Sequence, residues 1–194
     1  MRDSNIEIAS IKQTFDILKT ELDSKGYGLI SLKDYALLTQ EGKIIPDKTR
    51  TKEAFIYMPN NKVYLTKNSP ILASPKEATL CHKKGIEFYL NHERVDKALE
   101  NAVEIKHTRF PTKEFAGYAE MKFAFGEEYA EKFGLFLYGR EIKEMPAWLC
   151  DVDSMPFARQ ASIEYRSPAN MLILSSMNLN SEIPSLGIRH KGAV

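Results

Sequence analysis

The sequence predicts an α+β fold in which amphipathic helices pack on a mixed β-sheet. Three observations predict it: helical spacing of apolar residues near the N-terminus, strand-like alternation across residues 53–67, and several short apolar segments after residue 134. The chain has 194 residues, of which 43% are hydrophobic and 27% charged, which is enough to bury a core. No repeat or linker divides it, so we expect residues 1–194 to form a single domain.

A first helix is predicted from Ser10 to about Lys25, because Ser10 and Gln13 have capping-box spacing and apolar residues recur every three or four positions. The apolar stripe consists of Ile11, Phe15, Leu18 and Leu22. A second helix is expected from Ser31 to near Gly42.

Residues 43–52 are mostly polar and contain Pro46, so we expect them to form a loop. On either side of residues 59–61, apolar and other residues alternate with a period of two. This pattern is typical of an antiparallel hairpin at about residues 53–67.

Between residues 74 and 107 the pattern predicts a helix, a strand, a second helix and a second strand. Ser74 and Pro75 begin the first helix, and Asn91 caps the second. A strand, a helix and a strand of these lengths fit a βαβ crossover, so we expect the strands near residues 86–90 and 102–107 to pair in parallel.

Residues 110–138 are unusually aromatic and contain nine of the 20 aromatic residues of the chain. Helices are predicted at 113–124 and 127–133, followed by strands at 135–139, 147–152, 161–165 and 171–176. Buried, the aromatic rings would form a core; exposed, they would form a protein-interaction surface. The second alternative predicts a stable homo-oligomer or a complex with a partner.

The charge pattern suggests a first function. The net charge is only +1, but residues 43–67 carry six basic and two acidic residues. We therefore expect a non-enzymatic accessory or regulatory protein that binds the phosphate backbone of a nucleic acid. The expected contact residues are Lys43, Lys48, Arg50 and Lys52.

A second hypothesis is a divalent-metal-dependent nuclease or nucleotide-processing enzyme. Glu104 and Lys106 lie two positions apart in a predicted strand, where Glu104 would hold the metal and Lys106 would steady the attacking water. Glu87 in the preceding strand would add a second oxygen ligand. Asp151 and Asp153 form an alternative metal pair at a predicted strand end. Otherwise no cofactor is expected.

Other classes lack a signal. No zinc-ligand spacing, phosphate-binding glycine loop or nucleophile elbow occurs. No apolar run is long enough to span a bilayer, and the first residues do not resemble a secretory signal, so no membrane association is expected. With only two cysteines, Cys81 and Cys150, the chain is expected to reside in the cytoplasm.

Overall fold

The computed structural model describes residues 6–13, 15–44, 48–177 and 183–190. The α-helices are α1 Phe15–Ser24, α2 Leu32–Gln40, α3 Pro70–Ala73, α4 Pro75–Lys83, α5 His92–Leu99, α6 Ala119–Phe125 and α7 Glu127–Gly139. Two 3₁₀ helices span Thr112–Gly117 and Ser167–Ala169. The strands are β1 Ile6–Gln13, β2 Gly28–Leu29, β3 Lys48–Tyr57, β4 Val63–Thr66, β5 Phe88–Tyr89, β6 Ala102–Glu104, β7 Arg109–Pro111, β8 Glu144–Trp148, β9 Phe157–Arg166, β10 Met171–Met177 and β11 Ile183–His190.

A large mixed sheet forms the centre of the molecule. Its strand order is β6-β4-β3-β9-β10-β8-β7, and β5 pairs with β9 beyond the end of β10. β8 and β10 run parallel, whereas the other pairs are antiparallel. A smaller sheet of order β1-β11-β2 lies beside it. Helices and a mixed sheet together confirm the expected α+β class. Across the described ranges, no helix combines the length and apolarity needed to cross a membrane.

Alternation along β3 separates two hydrophobic clusters on the two faces of the large sheet. Phe55 and Tyr57 contribute to one cluster, together with α2, α6, α7 and the 3₁₀ helix at 112–117. We call this the aromatic side. Ala54 and Ile56 contribute to the other cluster, together with α1, α3, α4 and α5. We call this the aliphatic side. Both sides are therefore covered by helices.

The predicted hairpin is confirmed. β3 and β4 pair antiparallel from Ala54 opposite Thr66 to Tyr57 opposite Val63. Asn61 in the turn takes the left-handed conformation, with φ of 61°. The second helix is also confirmed as α2, and its capping box joins Ser31 to Asp34: the Asp34 N–H donates to Ser31 Oγ at 3.0 Å.

The predicted start of the first helix is wrong. Ser10 and Gln13 lie in β1, opposite Leu186 and Ile183 of β11, and the helix begins at Phe15. Sheet pairing with a strand far along the chain supplies the backbone partners that a local cap would otherwise supply. Likewise, residues 48–52 of the expected loop belong to β3, while Pro46 lies outside the described residues.

The expected βαβ unit is also wrong. β5 pairs antiparallel with β9, and β6 pairs antiparallel with β4, so the two strands are not neighbours. The strand predicted at 135–139 is the last part of α7, because the helical pattern continues through Gly134. The strands expected at 161–165 and 171–176 are confirmed within β9 and β10.

Candidate functional site

The candidate site is a groove on the aromatic side, between α2, the end of α7 and the β9–β10 connection. It encloses about 460 Å³. We call it the α2–α7 groove, and its lining comprises Tyr35, Thr39, Phe136, Leu137, Gly139, Arg140, Glu141, Ile142, Tyr165, Asn170 and Leu172. An apolar concavity of this volume with a few polar groups at its mouth is typical of small-ligand sites.

The floor of the groove is apolar and buried. Leu137, Ile142 and Leu172 are at most 4% exposed and belong to the aromatic-side cluster. Tyr35 and Thr39 lie one turn apart on α2, and Thr39 Oγ1 donates to the Tyr35 carbonyl at 2.7 Å. Burial raises the pKa of Tyr35, so its phenol stays neutral. The floor therefore offers apolar contact and an uncharged phenol.

The rim is held by hydrogen bonds between two loops. The Tyr165 hydroxyl donates to Asn170 Oδ1 at 2.9 Å, and Asn170 Nδ2 donates to the Arg140 carbonyl at 3.0 Å. Asn170 therefore joins the β9–β10 connection to the loop that follows α7. This bridge fixes the width of the groove on one side.

Two rim residues have an unusual backbone conformation. Among the described residues, three non-glycine residues have positive φ, and two of them line the groove: Glu141 at 65° and Asn170 at 44°. Asn adopts this conformation readily, but Glu does so at a cost of about 1 kcal/mol. Strained backbone of this kind concentrates at binding sites.

The rim also carries opposite charges. The Arg140 guanidinium lies 4.8 Å from the centre of the Phe136 ring, and Glu141 beside it is exposed. Within the described ranges neither side chain forms an ion pair with another residue. Donors and acceptors thus remain available above an apolar floor. The lining includes no histidine or cysteine.

Two of the lysines predicted to contact nucleic acid form ion pairs with carboxylates. Lys43 pairs with Glu41 at 2.9 Å, and Lys48 pairs with Glu164 at 3.0 Å. The Lys52 side chain is exposed, and the backbone N–H of Lys52 donates to the Ile30 carbonyl at 2.8 Å.

Arg50 lies in the interior, although its sequence neighbours suggest an exposed loop. The side chain is 0% exposed, and its Nη1 donates to the Gln13 carbonyl at 3.3 Å. Burial lowers the pKa of Arg50 to about 10. A phosphate backbone outside the protein cannot reach this guanidinium.

The structure does not bring Glu87 and Glu104 together. Glu104 in β6 pairs with Lys62 at 3.2 Å. Glu87 receives two hydrogen bonds from Arg159, one of them from Nε at 3.1 Å. β6 and β5 are four strand spacings apart, or about 19 Å.

Lys106 lies beyond β6, and its side chain is exposed. Its backbone N–H donates to Glu120 Oε1 at 3.0 Å. His107 Nδ1 lies 2.9 Å from the same oxygen. Glu120 is buried, and it is not among the site residues predicted from sequence.

Asp151 and Asp153 lie in an exposed loop after β8, which ends at Trp148. Asp153 accepts hydrogen bonds from the Tyr89 hydroxyl and from the Ser154 N–H, the latter at 2.6 Å. The Tyr89 bond, followed by the Ser154 bond, holds the pKa of Asp153 below its ordinary value. Within the part of the chain that the structure describes, no three His, Cys, Asp or Glu side chains are grouped to hold a metal ion.

Sequence reasoning missed the rim of the groove. Asn170 follows Ser-Pro-Ala, a turn-forming run that could have marked a left-handed position. Nothing local distinguishes Arg140, Glu141 or Tyr165, because they meet only after α7 packs beside the β9–β10 hairpin. The aromatic segment supplied a partial signal: four of its nine rings are fully buried and five are half-buried, so it is mainly core.

Comparison with known proteins gives a fold and no family. No protein-family model matches the chain, and no curated protein matches it. A solved structure described as "Accommodation of massive sequence variation in Nanoarchaeota by the C-type lectin fold" is similar, with a TM-score of 0.62. The match covers 96% of this chain and 97% of that chain at 14% sequence identity.

The similarity shows that the chain has a C-type lectin-like α+β fold. It also corrects the leading functional hypothesis. The prediction of nucleic-acid backbone binding is wrong: the similar structure is described as a C-type lectin fold, and one of the four expected contact residues is buried. The buried Arg50 gives the physical reason, since a local excess of basic residues does not report whether their side chains reach solvent.

Proposed function

We propose that the protein is a non-enzymatic recognition protein that binds a small polar ligand in the α2–α7 groove. The observation that carries the proposal is the geometry of the groove, in which a buried apolar floor lies beneath a hydrogen-bonded rim with strained backbone at Glu141. Its volume of about 460 Å³ suits a ligand of one or two rings.

The chemistry of the groove favours a ligand with one apolar face and several hydroxyl groups, such as a saccharide. Leu137, Ile142 and Leu172 offer apolar contact, while Arg140 and Glu141 offer donors and acceptors. The similar structure supports this view, because it is described as a C-type lectin fold that accommodates massive sequence variation. A fold that tolerates such variation can carry different recognition surfaces on one scaffold.

Recognition of this kind requires no resident cofactor. We assign the protein to the cytoplasm, as the sequence suggested. This is supported by the two cysteines, Cys81 and Cys150, which are both unpaired thiols.

The test is a titration with a panel of neutral, acidic and amino saccharides, followed by NMR and calorimetry. We expect at least one saccharide to shift the amide resonances of groove residues. Arg140→Ala should weaken its binding about tenfold, because a charged hydrogen-bond donor is lost. The matched control is Arg166→Ala, since Arg166 stacks on Trp148 at 4.4 Å and lies outside the groove.

Two results would overturn the proposal. One is that no member of the panel shifts groove resonances at millimolar concentration. The other is that Arg166→Ala weakens binding as much as Arg140→Ala does, which would show that the loss comes from net charge and not from the groove.

A further inference from the structure

A tyrosine near the end of α7 has two lysine ammonium groups against its ring. The Lys143 ammonium lies 3.7 Å from the centre of the Tyr138 ring, and the Lys113 ammonium lies 4.1 Å from the same centre. Tyr138 is half-buried and both lysines are exposed, so a solute can reach all three side chains. We call these three residues the Tyr138 site.

The backbone that carries the two lysines is fixed by a buried residue. Thr112, which precedes Lys113, is fully buried. Its hydroxyl donates to the Ile142 carbonyl at 2.8 Å, and its backbone N–H donates to the Lys143 carbonyl at 2.9 Å. The two lysines therefore start from adjacent, hydrogen-bonded segments, which reduces the ordering needed to bring their ammonium groups to one ligand.

The phenol oxygen of Tyr138 lies in a positive electrostatic field. The hydrogen bond from Lys113 is the largest influence on the pKa of Tyr138, and with the charges of Lys113 and Lys143 it holds that pKa below its ordinary value. The field that favours a phenolate also favours an anion placed beside the phenol oxygen.

Acidic neighbours do not neutralise this field by direct pairing. Over the ranges that the structure describes, neither Lys113 nor Lys143 forms an ion pair with a carboxylate. Glu144, the residue after Lys143, is paired with an arginine at 2.9 Å. Glu114 is exposed, and Glu141 lines the α2–α7 groove.

The end of α7 contributes a smaller, opposing charge. Lys143 Nζ donates to the Tyr138 carbonyl at 3.4 Å, and this carbonyl is one of the last in the helix. A helix C-terminus is equivalent to about half a negative charge. Two ammonium groups exceed it, so the Tyr138 site keeps a net positive charge.

A second tyrosine of α7 provides an internal comparison. The ammonium groups of Lys33 and Lys132 lie 4.9 and 5.7 Å from the centre of the Tyr129 ring. Both distances are longer than those at Tyr138. Because the attraction between exposed charges weakens with distance and is screened by water, we expect the more compact cluster to hold an anion better.

We propose that the Tyr138 site binds a tetrahedral oxyanion, either free sulfate or phosphate or the terminal group of a monoester. Lys113 and Lys143 each donate to one oxygen of the anion, and the Tyr138 hydroxyl donates to another. Hydrogen bonds from ammonium groups to such oxygens are charge-assisted, and a tetrahedral anion has enough oxygens for three donors. This site is independent of the function proposed for the α2–α7 groove.

The first test titrates the protein with sulfate and with phenyl phosphate at pH 6.5, followed by NMR at constant ionic strength set with chloride. We expect saturable shifts at Tyr138 and its neighbours. Lys143→Met should weaken binding about three- to fivefold, because one charged donor is lost. The matched control is Lys132→Met, which removes the same charge beside Tyr129 and should leave the affinity unchanged.

The second test reads the Tyr138 phenol directly by ¹³C NMR of ring-labelled tyrosine, with Tyr138→Phe assigning the signal. A bound sulfate places negative charge beside the phenol oxygen and disfavours its ionisation. The pKa of Tyr138 should therefore rise when sulfate replaces chloride, whereas that of Tyr129 should not change. A thermal melt of each variant checks that the fold is retained.

Binding of both probes supports a site that accepts a monoester, and binding of sulfate alone supports a site for the free anion. The proposal is overturned if neither probe gives saturable shifts at Tyr138. It also fails if Lys132→Met weakens binding as much as Lys143→Met, or if sulfate leaves the pKa of Tyr138 unchanged.

Discussion

The two sides of the large sheet differ in the kind of side chain that they bury. The aromatic side contains eight of the most deeply buried rings: Tyr35, Phe55, Tyr57, Phe110, Phe115, Phe125, Phe133 and Phe157. On the aliphatic side the buried cluster contains one ring, that of Phe88, among smaller aliphatic residues. The contrast begins within one strand, where Phe55 and Tyr57 alternate with Ala54 and Ile56.

This difference teaches that one sheet can support two kinds of cavity. On the aromatic side, a groove of about 460 Å³ has one charge of each sign at its rim. On the aliphatic side, a cavity of about 420 Å³ lies between α3, α5 and the segment that follows β4. Three predictions test or sharpen the comparison.

The largest effect is expected where the aromatic side is most tightly packed. A Cβ at Gly134 of α7 would lie inside the contact distance of the Thr112 carbonyl oxygen, with Phe115 also close by. Gly134→Ala should lower the free energy of unfolding by about 3 kcal/mol or more, because backbone must move. Chemical denaturation measures this loss.

Gly139→Ala is the control, because a Cβ at Gly139 meets no atom within 4 Å. It should leave stability unchanged or raise it slightly, since Ala favours a helix end more than Gly does. If Gly134→Ala is as stable as Gly139→Ala, then the aromatic side is not tightly packed against the 3₁₀ helix, and the comparison fails at this point.

A smaller effect on the free energy of unfolding is expected at Glu120, a buried carboxylate on the aromatic side. Burial alone would raise the pKa of Glu120, but its backbone hydrogen bonds and the bond with His107 outweigh burial and hold the pKa below the ordinary value of 4.5. The charged form is therefore favoured in the folded protein. Its contribution to stability is present above pH 4.5 and is lost as the pH falls through the folded-state pKa.

Glu120→Gln should lower the free energy of unfolding by about 1–2 kcal/mol at pH 7 and reduce the loss of stability on acidification. Denaturant titrations at neutral and acidic pH measure both quantities. An acid-induced loss as steep in Glu120→Gln as in the parent protein would show that other carboxyl groups govern it.

The smallest effect on the free energy of unfolding is expected at Glu53, a carboxylate within the large sheet. Glu53 in β3 is 1% exposed, and its Oε2 accepts from the Leu32 N–H at 3.1 Å. Burial is the largest influence and raises the pKa of Glu53. Because the folded state favours the protonated form, stability is lost as the pH rises from the unfolded-state pKa through the folded-state pKa.

Glu53→Gln keeps an oxygen acceptor for Leu32 without a charge. At neutral pH it should raise stability by up to about 1 kcal/mol, whereas Glu120→Gln should lower it. Thermal melts across pH 4 to 8 compare the variant with the parent protein. A loss of stability at neutral pH would mean that the Glu53 carboxylate is favoured by its hydrogen bonds despite burial.

Local signals predicted a substantial part of the fold. The α+β class, the β3–β4 hairpin, the start of α2 near Ser31 and α5 with its Asn91 cap all follow from residues close together in sequence. The errors in predicted secondary structure occur where a segment pairs with a strand that is distant in sequence. The sequence of β1 predicts a helix start, but β1 pairs with β11. The sequence of the first part of β3 predicts a loop, but it pairs with β9.

The candidate site was less accessible to sequence reasoning for the same reason. Its lining spans residues from Tyr35 to Leu172, and no short motif connects them. Arg50 illustrates the opposite problem. It stands in a basic stretch that suggests solvent exposure, yet it pairs with Ser162 of β9 and is buried. The single-domain organisation of residues 1–194 stays a prediction.

The pairing of β1 with β11 has a consequence for the order in which the fold is completed. Ile6 lies opposite His190, so the first described strand finds its partner only when nearly all of the chain is present. Contacts between such distant residues are slow to form, because a long loop must close first. During synthesis on the ribosome, β1 therefore stays unpaired until β11 emerges, and we expect the small sheet to form late.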